Sequence, residues 1–170
     1  MTETLKRCII IVEFHEGVSE MIITFIGHAN LVCKDELRFA IRDAIIKNAE
    51  YEDKWVFYCG GYGNFDMMCA DICHCIKKEH QNSEIVFITP YMDIADQAKI
   101  NDMLDRGRYD SVIYPPIENI PKKFAIVARN RWMIEESDLI VAYVDHNFGG
   151  AYNSYKFALR KNKKVINLYK

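Results

Sequence analysis

The 170-residue sequence predicts an α/β fold, a three-layer sandwich with a mostly parallel central sheet. Short, β-branched, apolar segments alternate with segments whose apolar residues recur at helical spacing, as in buried strands covered by helices. The connections are short, and this alternation pairs strands in parallel through right-handed crossovers. Two apolar segments lead into glycine turns, at residues 60–63 directly and at residues 149–150 after the four residues 145–148. Such strand–glycine–helix junctions are typical of Rossmann-like sheets.

The composition is that of a globular chain. Half of the residues are hydrophobic, 27% are charged, and the formal net charge is −2. Because there is no basic excess, we expect no nucleic acid partner, and the lack of long apolar runs or cationic stripes predicts no membrane contact. The start of the chain lacks the small-residue cleavage site of an export signal, so we expect a cytoplasmic protein whose cysteines stay thiols.

Three of the six cysteines lie close together, and a histidine falls between them. Cys69, Cys73, His74 and Cys75 include no C-x-x-C pair, and a helix would turn Cys75 away from the other two cysteines. We therefore expect no metal site, and nothing in the sequence calls for a cofactor.

Residues 1–20 are expected to form an N-terminal arm or an extra edge strand, and residues 21–170 a single Rossmann-like domain. The segment 9–12 is β-branched and suited to a strand, but the polar residues 16–20 interrupt it. An oligomer contact is the alternative role for this arm.

In the first half of the domain, the pattern predicts a strand over 22–26, a helix over 35–50 and a strand over 56–59. The first strand runs into Gly27 and His28, and the second runs into the glycine turn. The following segment is amphipathic, and its apolar residues recur at helical spacing: Phe65, Met68, Cys69, Ile72, Cys73 and Ile76.

The second half continues the alternation. Prolines end two of its strands because proline cannot supply a ladder hydrogen bond, and Pro121 suits the first turn of a helix. Strands are predicted over 84–89, 110–114, 139–144 and 164–168, and helices over 94–106, 121–136 and from the second glycine turn to about residue 161.

The glycine turns predict a binding site at the carboxyl edge of the sheet. Glycine allows positive φ and close approach of another group to the backbone. The free N–H groups and dipole of the following helix favour an anion, most often a phosphate. We expect Asn64 to cap that helix, and Asp66 either to favour its dipole or to meet ribose hydroxyls or a water. A tight loop without a ligand is the alternative for any single turn.

Four blocks of the sequence, at residues 23–28, 60–66, 129–138 and 149–150, follow one another as in a known group. Over about residues 21–170 the chain resembles the SLOG superfamily, which comprises Rossmann-like nucleotide-binding sensors and the LOG phosphoribohydrolases. The resemblance implies a protein that senses or sequesters a nucleotide, a nucleotide sugar or an ADP-ribose-like molecule. It also implies a homo-oligomer, and some relatives act in bacterial and phage conflict.

The hydrolase branch of that superfamily is matched only in part. Arg129 and Met133 match its helix, and Gly149 and Gly150 match the start of its Gly-Gly-x-Gly-Thr-x-x-Glu turn, but the glutamate position is Lys156. A lysine cannot supply the negative charge that cleavage of a glycosidic bond requires. The resemblance therefore favours binding over catalysis. A nucleotide-processing hydrolase is the alternative, and an adaptor with a vestigial pocket is a third.

The predicted ligand-binding residues lie on the turns and on one helix: Gly27, His28, Gly60, Gly61, Gly63, Asn64, Asp66, Arg129, Gly149, Gly150, Tyr152 and Asn153. Arg129 is expected to bind a phosphate or carboxylate with two hydrogen bonds; solvation or a salt bridge to Glu135 or Glu136 is the alternative. The candidates for catalysis are Asp66, Asp145 and His146. Because adjacent strand residues point to opposite faces, a direct Asp145–His146 pair requires loop geometry.

Overall fold

The structure is a computed structural model that describes residues 18–32 and 34–169, and it contains a parallel sheet between two layers of helices. The strands are β1 (Glu20–Gly27), β2 (Lys54–Cys59), β3 (Ser83–Ile88), β4 (Ser111–Ile113), β5 (Leu139–Tyr143) and β6 (Lys164–Asn167). The helices are α1 (Asp35–Ala49), α2 (Gly63–Glu79), α3 (Ile94–Asp105), α4 (Ala125–Glu136) and α5 (Gly149–Arg160).

The strands lie in the order β4-β3-β2-β1-β5-β6, and neighbouring strands run parallel. This confirms the predicted α/β, Rossmann-like sandwich. The chain first proceeds outward from β1 to β4 and then crosses back to β5, so the strand order reverses between β1 and β5. At that reversal Gly27 pairs with Tyr143. Ligands of open parallel sheets bind in the crevice at such a switch point, beyond the carboxyl ends of the strands.

Each face of the sheet is covered because alternate side chains of a strand point to opposite faces. On β1, Ile23 and Phe25 belong to a core with residues of α1 and α2, while Ile26 packs with residues of α4 and α5. The inner strands β2, β3 and β5 are therefore largely apolar on both faces rather than alternating, as the sequence indicated. The carboxyl edge of β1 lies between both helix layers.

The predicted elements occur, with small shifts at their ends and one larger difference. The helix predicted over 121–136 begins after Pro121, whose backbone is extended, and is divided into a 3-10 turn at Lys122–Phe124 and α4, where the φ of Phe124 is −108°. The possible strand over 9–12 and most of the predicted arm lie outside the described residues. Within the described residues, no helix combines the length and apolarity needed to cross a bilayer.

Gly27 at the end of β1 allows α2 to approach the sheet closely. A Cβ atom at this position would lie 2.3 Å from the Cγ and Cδ1 atoms of the Phe65 ring. The ring is fully buried in the main core and has no space into which to withdraw. The absence of a side chain at residue 27 therefore sets the spacing between β1 and the start of α2.

We expect Gly27→Ala to lower the free energy of unfolding by about 1–3 kcal/mol, because a methyl group inserted into a packed core forces its neighbours to shift. Urea denaturation measures the change. The matched control is Gly150→Ala, where a Cβ atom would meet nothing within 4 Å, and where stability should stay the same or rise slightly. Wild-type stability in Gly27→Ala would show that the Phe65 ring is not fixed.

Candidate functional site

A cavity of about 260 Å³ opens at the carboxyl edge of the sheet, between β1 and the helices α4 and α5. All three predicted turns contribute to its wall, through Gly27 and His28, through Gly60 and Tyr62, and through Gly150. The sequence therefore correctly predicted that these turns converge on one side of the sheet. The remaining wall comes from β1 and from the helices α2, α4 and α5, and it mixes apolar residues with polar and charged ones.

Half of the predicted binding residues line this cavity, and half do not. Those that line it are Gly27, His28, Gly60, Asp66, Arg129 and Gly150. Those that lie outside its wall are Gly61, Gly63, Asn64, Gly149, Tyr152 and Asn153. The reason that a predicted residue lies outside the cavity wall differs between the two glycine turns.

On α5 the separation follows helical phase. Gly150, Ala151 and Ser154 face the cavity, because Ser154 lies one helical turn after the adjacent pair Gly150 and Ala151. Tyr152 instead packs against the core formed with Ile26 and neighbouring residues, and Asn153 is exposed. Sequence reasoning missed Ser154 because the family pattern, rather than the 3.6-residue period counted from Gly150, selected the positions.

Gly61 and Gly63 shape the first turn without facing the cavity. Both have positive φ, 70° and 86°. A Cβ at Gly61 would lie 2.6 Å from the Phe87 ring, and one at Gly63 would lie 2.7 Å from the α-carbon of Ala29. These glycines are therefore required for the bend and for close packing against β3 and the loop after β1.

The start of α2 is tied to the protein's own acceptors. The Tyr62 N–H donates to Oδ2 of Asp66 at 3.2 Å, and the Asn64 N–H donates to the carbonyl of Ala29 at 2.8 Å. The prediction that Asn64 caps this helix is wrong, because Tyr62 occupies the cap position and Asn64 lies inside the first turn. The Asp66 carboxylate thus takes a position near the N–H groups that the sequence had predicted for a phosphate.

Arg129 is almost completely buried, with 1% of its surface exposed. Its Nη1 donates to the carbonyl of Gly60 at 2.8 Å and to that of Ile88 at 3.0 Å, and its guanidinium carbon lies 5.3 Å from the centre of the Tyr62 ring. Arg129 borders the cavity as predicted, but Nη1 already joins the ends of β2 and β3. Neither a fully solvated arginine nor a salt bridge to Glu135 or Glu136 describes it.

Asp66 carries the other charge beside Gly60. A Cβ atom on Gly60 would lie 2.8 Å from Oδ2 of Asp66 and 2.6 Å from Nη1 of Arg129, so both groups depend on a glycine there. Burial raises the pKa of Asp66 to about 6, although the Arg129 charge and the Tyr62 N–H act in the opposite direction. This carboxyl therefore changes its charge near physiological pH.

A second group of polar side chains lies at the switch point. His28 follows β1, while Asp145 and His146 follow β5. Nδ1 of His146 lies 2.6 Å from Oδ1 of Asp145, and Nε2 of His28 lies 3.3 Å from the same oxygen. The Asp145–His146 pair forms because β5 ends at Tyr143, which frees both residues from strand geometry. Burial and the neighbouring His146 lower the pKa of His28, against the opposing effect of Asp145.

The cysteine-rich stretch of α2 forms no such group. Cys69 and Cys73 are buried, whereas Cys75 is exposed on another side of the helix. Nε2 of His74 lies 2.8 Å from the carbonyl of Arg108. Cys75 therefore lies away from Cys69 and Cys73, as the helical period predicted.

The chain is similar to known proteins in sequence and in fold, although no family model matches it. It is 27% identical to the SPbeta prophage-derived protein YoqJ of Bacillus subtilis, itself uncharacterized, over 75% of this chain and 81% of that protein. The fold also matches DNA processing protein A of Helicobacter pylori, with a TM-score of 0.56, 14% identity and 86% of this chain covered. The corresponding values for DNA processing protein A of Streptococcus pneumoniae are 0.56, 15% and 85%.

The chain spans 64% of the H. pylori protein and 49% of the S. pneumoniae protein, and likeness at this low identity establishes the fold. The H. pylori structure is described by its mode of binding single-stranded DNA. In light of this finding, the prediction that the ligand is a nucleotide-derived small molecule, whether sensed, sequestered or hydrolysed, is wrong. The predicted absence of a nucleic acid partner is wrong too.

Both errors have a physical origin. Backbone amides at a glycine turn recognise a phosphate, and a phosphate within a polynucleotide offers the same oxygens as one on a free nucleotide. The net charge of −2 is a sum over the whole chain. It does not describe the charge at one edge of a sheet.

The Asp66 carboxyl generates a prediction about stability and pH. Because the folded state raises its pKa to about 6, the folded protein binds more protons than the unfolded chain between the ordinary range of an aspartate and pH 6. The stability contribution is complete at low pH and is lost as the pH rises through 6. We expect Asp66→Asn to remove a decline on the order of 2 kcal/mol between pH 4 and pH 7.

Urea denaturation across this pH range measures the difference between wild type and variant. The control is Asp105→Asn, which changes an exposed carboxylate at the end of α3 and should reproduce the wild-type pH dependence. Parallel curves for wild type and Asp66→Asn would contradict a raised pKa at Asp66.

Proposed function

We propose that this chain is a SLOG-type protein that binds single-stranded nucleic acid at the carboxyl edge of its sheet. The observation that carries the proposal is a pair of exposed aromatic rings beside the cavity, those of Tyr62 and Phe148, which are 43% and 68% exposed. Tyr62 lines the cavity, and Phe148 directly precedes the glycines of α5. Unpaired bases stack on such rings without regard to sequence.

The cavity between these rings suits one unit of a polymer. Its volume of about 260 Å³ is below the range of about 300–1,000 Å³ typical of sites that enclose a whole small molecule. One nucleotide can enter while its neighbours continue along the edge over Tyr62 and Phe148. DNA processing protein A of H. pylori, which has a similar fold, is described as binding single-stranded DNA, and this supports the choice of ligand.

The start of α5 is the better position for a phosphate. Phe148 stands at the cap position and makes no side-chain cap hydrogen bond, and no acidic residue lies in the first turn. Additional Cβ atoms at Gly149 and Gly150 would meet nothing within 4 Å, so the backbone is open to a ligand. At α2, by contrast, Asp66 already occupies this position.

Local positive charge comes from the 3-10 turn before α4, which begins at the same edge. Lys122 lies 5.1 Å from the centre of the Tyr91 ring, and Lys123 lies 4.9 Å from that of Phe124. Lys122 is also paired with Asp93 at 3.0 Å. Because few cations are available, stacking should supply more of the affinity than phosphate contacts, and the salt dependence should be shallow.

Several expectations accompany this proposal and stay predictions. They are the division into residues 1–20 and 21–170, a homo-oligomer, the cytoplasmic location and a role in conflict with phages. The similarity to a prophage-derived protein is in keeping with the last of these. The SLOG assignment itself is supported by the shared Rossmann-like fold.

We expect Phe148→Ala and Tyr62→Ala each to weaken binding of a fluorescent oligodeoxythymidylate by about 10-fold or more, since a base stacked on an aromatic ring contributes about 1–3 kcal/mol. Fluorescence anisotropy measures the affinity, and duplex DNA of the same length should compete poorly. The matched control is Tyr51→Ala, which removes a ring that is 88% exposed at the opposite edge, before β2.

Equal losses in all three variants would indicate nonspecific contact. A wild-type protein that leaves the anisotropy of the oligonucleotide unchanged at low salt would contradict the proposed function. Tight binding of free thymidine monophosphate would favour a small-molecule site instead.

A second prediction tests the phosphate position. Gly150→Asp places a carboxylate at the open start of α5, where it opposes a phosphate and takes up the free N–H groups, so we expect oligonucleotide affinity to fall by about 10-fold or more. The control is Gly107→Asp, in the loop between α3 and β4 at the other edge, where a Cβ atom would also meet nothing. Because Gly107 has a φ of 67°, which strains a side chain, thermal melting must first verify that this control folds. Similar affinities for the two variants would place the phosphate elsewhere.

A further inference from the structure

His28, Asp145 and His146 are brought together by the topology of the sheet. β1 and β5 are adjacent and parallel, and Gly27 pairs with Tyr143. The residues that follow these two positions must therefore emerge side by side at the carboxyl edge. The sequence separates His28 from the other two residues by most of the domain, so no local motif indicates the group.

The three side chains offer ligand atoms that all lie within 4.8 Å of one another. Both imidazole nitrogens nearest to Asp145 point towards the same carboxylate oxygen, at 2.6 Å for His146 and 3.3 Å for His28. The His28 side chain is only 13% exposed, and its buried Nε2 has no hydrogen-bond partner. The Asp145 oxygen faces this nitrogen at 3.3 Å without forming a hydrogen bond, so Nε2 is available to a ligand.

We propose that His28, Asp145 and His146 bind a divalent transition-metal ion of the Zn²⁺ class at the switch point between β1 and β5. Two imidazoles and one carboxylate are a common ligand set for Zn²⁺ and its neighbours in the first transition row. Mg²⁺ and Ca²⁺, which prefer oxygen ligands, should bind poorly to it. The metal proposal does not require nucleic acid binding, although His28 also lines the first cavity and the Phe148 ring packs on His146.

The backbone before Asp145 is held by hydrogen bonds, while the His146 side chain can change its orientation. Asn167 of β6 accepts the Val144 N–H at 3.1 Å and donates to the Val144 carbonyl at 3.2 Å, which fixes the chain immediately before Asp145. The His28 and His146 rings are stacked with their centres 3.5 Å apart. Stacked rings do not direct their nitrogens at one ion, so His146 must turn, and the ring 4.1 Å away on its sequence neighbour Phe148 is itself exposed.

A cavity of about 630 Å³ beside α1 provides a route to the group. His28, Asp145 and His146 line it, as do Lys34 and Glu36, whose opposite charges leave no strong field against a cation. Three protein ligands also leave one position of a tetrahedral ion open to this cavity. Water or an oxygen atom of a bound molecule would complete the coordination there.

Cobalt titration tests the site, because Co²⁺ replaces Zn²⁺ and reports its ligands by absorption. Chelator-treated protein should gain visible d–d bands that saturate at one equivalent of Co²⁺ and disappear when Zn²⁺ is added. Asp145→Asn keeps the shape of the side chain, and His146→Phe keeps a stacking ring but removes the nitrogens. We expect each to weaken Co²⁺ binding by at least about 10-fold, since each removes a ligand.

Two controls separate this site from adventitious binding. His74→Gln removes a histidine outside the group, and Cys75→Ser removes an exposed thiol; both should bind Co²⁺ as the wild type does. Circular dichroism and thermal melting verify that each variant folds. Zn²⁺ should raise the melting temperature of the wild type and the two controls, and should not raise that of Asp145→Asn.

The inference is overturned by any of three results. The first is a wild-type protein that binds no Co²⁺ at one equivalent. The second is wild-type affinity in both Asp145→Asn and His146→Phe, which would leave only a structural stack. The third is a thiolate-to-cobalt charge-transfer band that is lost in Cys75→Ser, which would assign the metal to cysteine.

Discussion

One buried guanidinium holds the carboxyl edge of this sheet together. Arg129 reaches from α4 to the carbonyl of Gly60, just after β2, and to that of Ile88, the last residue of β3. Carbonyl groups at that depth need donors, and a charged donor makes the stronger hydrogen bond. The cost of burying the charge is reduced by the nearby Asp66, and both groups fit only because residue 60 has no side chain.

This arrangement makes the two glycine turns unequal. At the first turn, Asp66 and Ala29 supply acceptors to the start of α2, so the glycines there serve packing and the Arg129 contact. At the second turn, α5 begins without a side-chain cap, and nothing approaches its glycines. In the sequence the two junctions look alike, but only the second leaves its helix dipole available to a ligand.

The fold was predictable from the sequence because the period of the apolar residues reports which faces are buried, and the inner strands β1, β2, β3 and β5 are buried on both faces. The convergence of the turns followed from parallel pairing. The role of Arg129 did not, since its hydrogen bond to Gly60 spans 69 positions in the chain. Tyr152 and Asn153 were wrongly placed in the cavity because a family pattern was followed where helical phase decides. The ligand class was wrong because phosphate recognition does not distinguish a nucleotide from a strand.

The reversal of strand order also explains why one loop borders two cavities. The chain places α1 and α2 on one face of β1 and α4 and α5 on the other, so a crevice remains on each side of the residue that follows β1. That residue is His28, and its ring lies in the wall of both cavities. A molecule that turns the ring in one cavity therefore alters the wall of the other. Ligands in the two cavities would share this side chain, and any free-energy coupling between them must be equal in both directions.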